Sequence, residues 1–249
     1  MLATRYDAFC FDLDGVVYVG DEPVRGAVES IARLRECDTP VRFVTNNSRS
    51  TREEIAARLR DLGVEASTDE VFTAASATAQ YLQAEGVESA YVLAPEGFKT
   101  EIRRVGIAVT DAPADAVVVG LDRTVTYDDI AQAARQILDH DARFVAANED
   151  GSYPTPRGLE PGTGALVAAI RATVGRDPVV VGKPHATLFE QALSGLSGQI
   201  AMVGDSPDAD IAGARAAGID GILVTAHARE TANGPAPDET ITDLRALFE

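Results

Sequence analysis

Four short segments carry residue types that can do chemistry together. In Phe9-Cys10-Phe11-Asp12-Leu13-Asp14-Gly15 an apolar run ends in two carboxylates one residue apart. Ligands of open parallel α/β sheets bind at the carboxyl ends of strands, so Asp12 and Asp14 stand where a substrate would be met. One carboxylate can attack phosphorus and form an acyl phosphate, while the other protonates the leaving oxygen and later deprotonates the attacking water. A solvated strand end that merely caps the next segment is the plainer reading of the same residues.

The second segment, Phe43-Val44-Thr45-Asn46-Asn47-Ser48, runs from an apolar stretch into a polar turn. Hydroxyls and backbone N–H groups before a helix suit a phosphate, although Ser50 or Thr51 followed by Glu53 and Glu54 also reads as a capping box. The third is Val181-Gly182-Lys183-Pro184-His185. Lys99 and Lys183 are the only lysines among 22 basic residues, and a compact ammonium beside phosphate is a reason to keep one. His185 is expected to begin a helix, while His140 and His227 are too isolated to form a metal cluster. The fourth, Gly204-Asp205-Ser206-Pro207-Asp208-Ala209-Asp210, offers hard oxygen ligands of the kind that hold Mg²⁺. Asp208 is expected only to cap the helix that follows.

Elements that must position these groups are legible as short β-branched or aromatic runs alternating with helical periodicity, the pattern of a parallel α/β fold. Strands are predicted at 6–11, 41–44, 71–74, 90–93, 116–119, 142–146, 179–181, 199–203 and 221–224. Between them Ala27-Ile31-Leu34, Ile55-Leu59-Leu62, Ile130-Ala134-Ile137 and Leu166-Ala169-Ile170 recur at helical spacing, each laying one face on a sheet. Residues 148–161 and 231–237 read as loops. Gly162-Thr163-Gly164 starts a helix and not a dinucleotide fingerprint, because the third glycine is absent.

Taken together, Asp12-Leu13-Asp14-Gly15, Thr45-Asn46, Lys183 and Gly204-Asp205 resemble the four motifs of the haloacid dehalogenase (HAD) superfamily. Asp14-Gly15-Val16-Val17-Tyr18, Thr45-Asn46-Asn47-Ser48, Gly182-Lys183-Pro184, Gly120-Leu121-Asp122-Arg123 and Pro161-Gly162-Thr163-Gly164 are similar to its class II, subclass A branch. That branch includes para-nitrophenylphosphatase-like, pyridoxal phosphate, phosphoglycolate and nucleotide phosphatases. The resemblance, from about residue 6 to the last, implies a doubly wound, Rossmann-like core with an inserted α/β cap. It implies Asp12 as nucleophile and Mg²⁺ ligand, and Asp14 as acid/base and metal ligand through its carbonyl. It also implies Thr45 and the Asn46 backbone on the phosphoryl group, Lys183 as the neutralising cation, Asp205 on Mg²⁺, and Asp210 in support of the metal site. The branch commonly has Thr where this chain has Ala209, which puts a supporting hydrogen bond to Asp210 in question.

Motif order fixes the expected division: residues 1–79 and 179–249 as the catalytic core, 80–178 as the cap. Such a cap closes over the site and excludes water, and Arg123, Asn148, Glu149, Asp150, Tyr153 and Arg157 are its polar candidates for substrate contact. Caps of the subclass that the chain resembles often mediate dimers, so a homodimer through the cap is an expectation that the resemblance, and no sequence feature of its own, supplies. The reaction implied is Mg²⁺-dependent hydrolysis of a small phosphorylated metabolite. A phosphotransferase or phosphomutase, or a non-catalytic phosphate-binding regulatory module, are the alternatives; Asp14 argues against the last, since a stable phosphoacceptor has no use for a neighbouring acid/base.

Composition narrows the partners. The 249 residues carry 39 acids against 22 bases, a net charge of −17, which repels nucleic acid and anionic membranes. With 45% apolar residues the chain can bury a core, but no run approaches the roughly 18 apolar residues of a membrane span. No signal peptide is read at the start, so the expected location is cytoplasmic. Cys10 and Cys37 are expected to be buried thiols. An acidic, lysine-poor surface also suits concentrated salt, where self-repulsion is screened, and a halophilic source is the corresponding expectation.

Overall fold

The computed structural model describes residues 1–155, 157–228 and 234–249; of the loop expected at 231–237, residues 231–233 lie outside that description. Each predicted strand is present, and the chain divides into two units.

The first unit comprises Met1–Thr45, Arg52–Phe72 and Lys183–Glu249. Its six-stranded sheet runs in the order Glu239–Ile241, Asp220–Val224, Ile200–Gly204, Ala8–Phe11, Val41–Thr45, Val71–Thr73. Ala8–Phe11 pairs in parallel on both sides, Phe9 lying opposite Ala201 and Val41. A strand buried on both faces needs an unbroken apolar run, and Phe9, Cys10 and Phe11 are fully buried. The helices Ala27–Glu36 and Arg52–Asp61 bury Ile31 with Leu34 and Ile55 with Leu59, and these join Phe9, Phe11 and Phe43 in one cluster. Each such side chain contributes about 1.5–3 kcal/mol on burial. Because the chain turns one way to Val41–Thr45 and the other way to Ile200–Gly204, strand order reverses at Ala8–Phe11. A switch point of this kind leaves a crevice at the carboxyl ends.

The second unit, Asn46–Thr51 with Thr73–Gly182, has a parallel five-stranded sheet of its own. Its order is Val179–Val180, Arg143–Ala146, Ala116–Val119, Ser89–Leu93, Ala108–Val109. Val117, Val119, Phe144, Ile137 and Ile170 form its core. The helix Tyr127–Asp139 begins at a capping box, Thr126 accepting from the Asp129 N–H and Asp129 from the Thr126 N–H. The helix Thr163–Val174 starts after Gly162, where a helix was expected.

Three expectations are corrected. The strand assigned to the catalytic sheet at 179–181 is the edge strand of the second sheet, with Val179 opposite Val145; two residues of β-branched side chain carry no sign of which sheet they join. The supposed loop at 148–161 contains an antiparallel ribbon, Ser152–Thr155 with Gly158–Pro161. Polar bonds mark it instead of an apolar face: Glu160 accepts from the Tyr153 hydroxyl at 3.0 Å and pairs with Arg123 at 2.8 Å and Arg157 at 3.0 Å. Cys37 is exposed, since it follows the helix Ala27–Glu36, whose last buried residue is Leu34. Among the described residues no helix is long and apolar enough to cross a membrane.

Candidate active site

Asp12 continues the strand Ala8–Phe11, its N–H donating to the Val203 carbonyl at 2.9 Å. The chain then folds into a tight turn in which the Leu13 carbonyl accepts from the N–H groups of Val17 (2.9 Å) and Tyr18 (3.1 Å), while Gly15 N–H donates to the Tyr18 carbonyl at 2.8 Å. Gly15 has φ of 87°, and a Cβ there would overlap the Asp205 carboxylate; both facts require glycine. The turn leaves Asp12 buried and Asp14 exposed. Tyr18 is buried beneath the Arg58 guanidinium, 4.3 Å from the ring centre. Burial, and then the Asp14 charge, push its hydroxyl well above the ordinary tyrosine range.

Lys183 is 3% exposed, and its ammonium donates to Asp12 Oδ1 at 2.6 Å, Asp210 Oδ1 at 2.7 Å and the Val44 carbonyl at 3.0 Å. These are three acceptors for three donors. Burial works against the charge, but Asp12 and Asp210 more than offset it and hold the ammonium above its usual pKa. Thr45 ends the neighbouring strand and is buried there.

Asp205 follows the strand Ile200–Gly204, and one wide turn, Pro207–Ile211, brings Asp210 back against it. Asp210 Oδ2 accepts from the N–H groups of Asp205 (3.1 Å) and Ser206 (3.0 Å) while Oδ1 takes Lys183. Ala209 therefore leaves Asp210 well held. The expected cap is corrected here: Ser206 Oγ accepts from Ala209 N–H at 3.3 Å and Asp208 is exposed. A serine directly before a proline at the first helical position is the better N-cap signature.

Asp12, Asp205 and Asp210, all buried, each offer a carboxylate oxygen, and these atoms lie within 4.8 Å of one another. Three buried acids against one ammonium leave negative charge uncompensated. Burial, reinforced by Asp210 and Asp205 and opposed by Lys183, pushes the Asp12 carboxyl well above its usual range. Hard oxygen donors with surplus negative charge fit a divalent cation such as Mg²⁺.

Asp12, Lys183, Asp205 and Asp210 are thus brought together in the first unit, with Thr45 at the adjoining strand end. Asn46 groups with the second unit, where its amide donates to Asp150 and its carbonyl accepts from Asn148. Of the other cap candidates, Arg123, Tyr153 and Arg157 converge on Glu160, and Glu149 pairs with Arg171. Sequence reasoning missed the Val44 carbonyl, which carries no side-chain signal, and the stacking of Arg58 on Tyr18, whose residues are far apart in the chain.

Residues 9–108 match the haloacid dehalogenase-like hydrolase family and residues 180–247 the HAD-hydrolase-like family. The chain is 38% identical over 223 residues to the 5'-nucleotidase YutF of Bacillus subtilis, covering 88% of this chain and 87% of that protein. It is 40% identical over 230 residues to the D-glycerol 3-phosphate phosphatase of Mycobacterium tuberculosis, covering 90% of this chain and 64% of that one. A crystal structure of the glycerol phosphate phosphatase of M. tuberculosis in complex with magnesium superimposes with a TM-score of 0.91 at 36% identity, over 99% of this chain and 77% of that one. The p-nitrophenyl phosphatase from Archaeoglobus fulgidus gives 0.92 at 31%, over 98% and 99%. The chain belongs to the haloacid dehalogenase-like hydrolases.

Proposed function

We propose that this protein hydrolyses small phosphomonoesters through an aspartyl-phosphate on Asp12, with Mg²⁺ as cofactor. The observation that carries the reading is the buried Lys183 ammonium bridging Asp12 and Asp210, with Asp205 in the same carboxylate cluster at the strand ends. The side chains of Asp12 and Asp205 and the carbonyl of Asp14 would hold Mg²⁺, with Asp210 supporting the site. The bound cation supplies charge neutralisation for the phosphoryl oxygens.

Asp12, held by Lys183, attacks phosphorus in line, forming the Oδ–P bond as the ester P–O bond breaks. Asp14, on the exposed side of its turn, gives its proton to the departing alkoxide. The Asp14 carboxylate then takes a proton from water, whose oxygen attacks phosphorus and releases inorganic phosphate and Asp12. The Thr45 hydroxyl and the adjacent Asn46 N–H bind the transferring group. Lys183 keeps Asp12 aimed and favours its charged, attacking form, while Asp210 holds the Lys183 ammonium in place.

In this proposal the first unit is the catalytic core and the second its cap. The relatives named as a 5'-nucleotidase, acid sugar phosphatases and a D-glycerol 3-phosphate phosphatase support a small phosphorylated metabolite as substrate. The proposal extends to a cytoplasmic protein and to a homodimer through the second unit, where Tyr127, Leu138, Leu159 and Val179 stand exposed. The test is phosphate release from a panel of nucleotides, sugar phosphates and glycerol phosphate, with and without Mg²⁺. Expected is Mg²⁺-dependent release that Asp12→Asn abolishes; release by Asp12→Asn, or none from folded protein, overturns the reading.

A further inference from the structure

We propose that Asn148 and Asp150 are positioning residues that hold the phosphoryl-binding turn by fixing Asn46. The inference rests on the reading of Thr45 and the Asn46 N–H given above. The chain enters the second unit at the Thr45–Asn46 peptide and leaves it for the last time at Gly182–Lys183. Asn46 and Gly182 therefore each adjoin a proposed site residue, and they meet. The amide nitrogen of Asn46 faces both Asp150 oxygens, at 3.4 and 3.3 Å. That carboxylate can only accept, so it turns the Asn46 Oδ1 the other way. A Cβ on Gly182 would lie 2.6 Å from that oxygen and would also overlap the Ala147 carbonyl, which takes the Gly182 N–H at 2.8 Å.

Asn148 completes the arrangement. Its Oδ1 accepts from the Asp150 N–H at 3.1 Å, which fixes the side chain so that its Nδ2 donates to the Asn46 carbonyl at 2.8 Å. The Asn148 side chain is buried and the bond partly so, which limits competition from solvent. Farther along the turn, buried Ser48 accepts from the Leu121 N–H at 3.0 Å and sits 3.5 Å from the Thr163 hydroxyl. Residues 46–48 are thus anchored by side chains and backbone drawn from the second unit. Pre-organised donors matter because a misplacement of about 1 Å can cost up to ~100-fold in rate.

The test compares Asn148→Asp, Asp150→Ala and Asp150→Asn, with Thr45→Val as control, reading kcat/KM, competitive inhibition by inorganic phosphate, and the melting curve. Asn148→Asp puts an acceptor against the Asn46 carbonyl and Asp150→Ala removes the acceptor. Each should raise the phosphate inhibition constant and lower kcat/KM by roughly tenfold or more, whereas Asp150→Asn, which keeps an acceptor, should stay within about threefold. A purely structural role would lower the melting temperature and leave phosphate inhibition unchanged, which overturns the inference. If Thr45→Val weakens phosphate inhibition and neither Asn148→Asp nor Asp150→Ala does, the inference fails alone. If Thr45→Val has no effect, the reading of the turn fails and the inference with it.

Discussion

Asp210 can be separated into two jobs by two substitutions. Its Oδ2 accepts from two buried backbone N–H groups and its Oδ1 from Lys183. Asp210→Ala strips both N–H groups of their acceptor, at about 1–3 kcal/mol each. The total loss is about 3–5 kcal/mol, because Lys183 retains Asp12 and relief of crowding among the acids offsets part of the cost. Asp210→Asn keeps an oxygen toward the backbone but turns an amide toward the Lys183 ammonium, for a loss of about 1–2 kcal/mol. At about 2–4 °C per kcal/mol for a chain of this size, the expected falls in Tm are about 6–20 °C for Ala and about 2–8 °C for Asn. Both should lose roughly 10–100-fold in Mg²⁺ affinity or activity, as supports of a metal site do. Circular dichroism melting in chelator reads the first effect, and phosphate release against Mg²⁺ concentration the second. Equal melting of the two variants would refute the role of the backbone bonds, and full activity at ordinary Mg²⁺ in both would refute the supporting role.

Other expectations are simpler. Burial pushes the Cys10 thiol up to about 12 while Cys37 is exposed, so Ellman's reagent at about pH 8 should find one fast thiol in native protein and two after unfolding; two fast thiols would place Cys10 outside the core. Burial alone would raise Glu70, but hydrogen bonds from Arg35 at 2.8 Å and from Ser67 outweigh it and hold its pKa below the usual range. A lowered carboxylate stabilises above its unfolded pKa and loses that contribution as pH falls through the folded value. Glu70→Gln should therefore cost about 1 kcal/mol at neutral pH, and that cost should shrink as pH falls below the ordinary carboxylate range and through the lowered folded value; an undiminished difference in acid would show that the ion pair is not its source. With a net charge of −17, the urea midpoint should rise on going to about 2 M KCl as self-repulsion is screened. A flat response would remove the reason for linking this composition to salt.

Asp12, Thr45 and Asp205 were readable because each ends a run of apolar residues that only a buried parallel strand accommodates. Asp12 after Phe9-Cys10-Phe11 and Asp205 after Ala201-Met202-Val203 need no tertiary information. What escaped was set by contacts distant in sequence or by weak local signals. Val179-Val180 could have joined either sheet, and pairing with Val145-Ala146 decides it. The ribbon at 152–161 carries prolines and polar residues in place of an alternating apolar face, and its cohesion comes through Glu160, to which Arg123 reaches from another loop. Cys37 looks like any apolar residue in composition, but it falls one step beyond a helix end. Ser206 was legible as a cap from the proline after it, and Asp208 drew the assignment only because it is acidic. Asn148 and Asp150 stood out as polar residues near a strand end, yet nothing local indicates that they turn toward Asn46.

The central claim is a phosphoryl group carried on Asp12, and hydride trapping tests it most directly. During steady turnover of a good phosphomonoester with Mg²⁺, borohydride reduces an acyl phosphate to the alcohol and releases phosphate. Peptide mass spectrometry should then find homoserine at position 12 in active enzyme and none in Asp12→Asn or without substrate. Brisk turnover with residue 12 left as aspartate, or homoserine at another acid, would contradict the account.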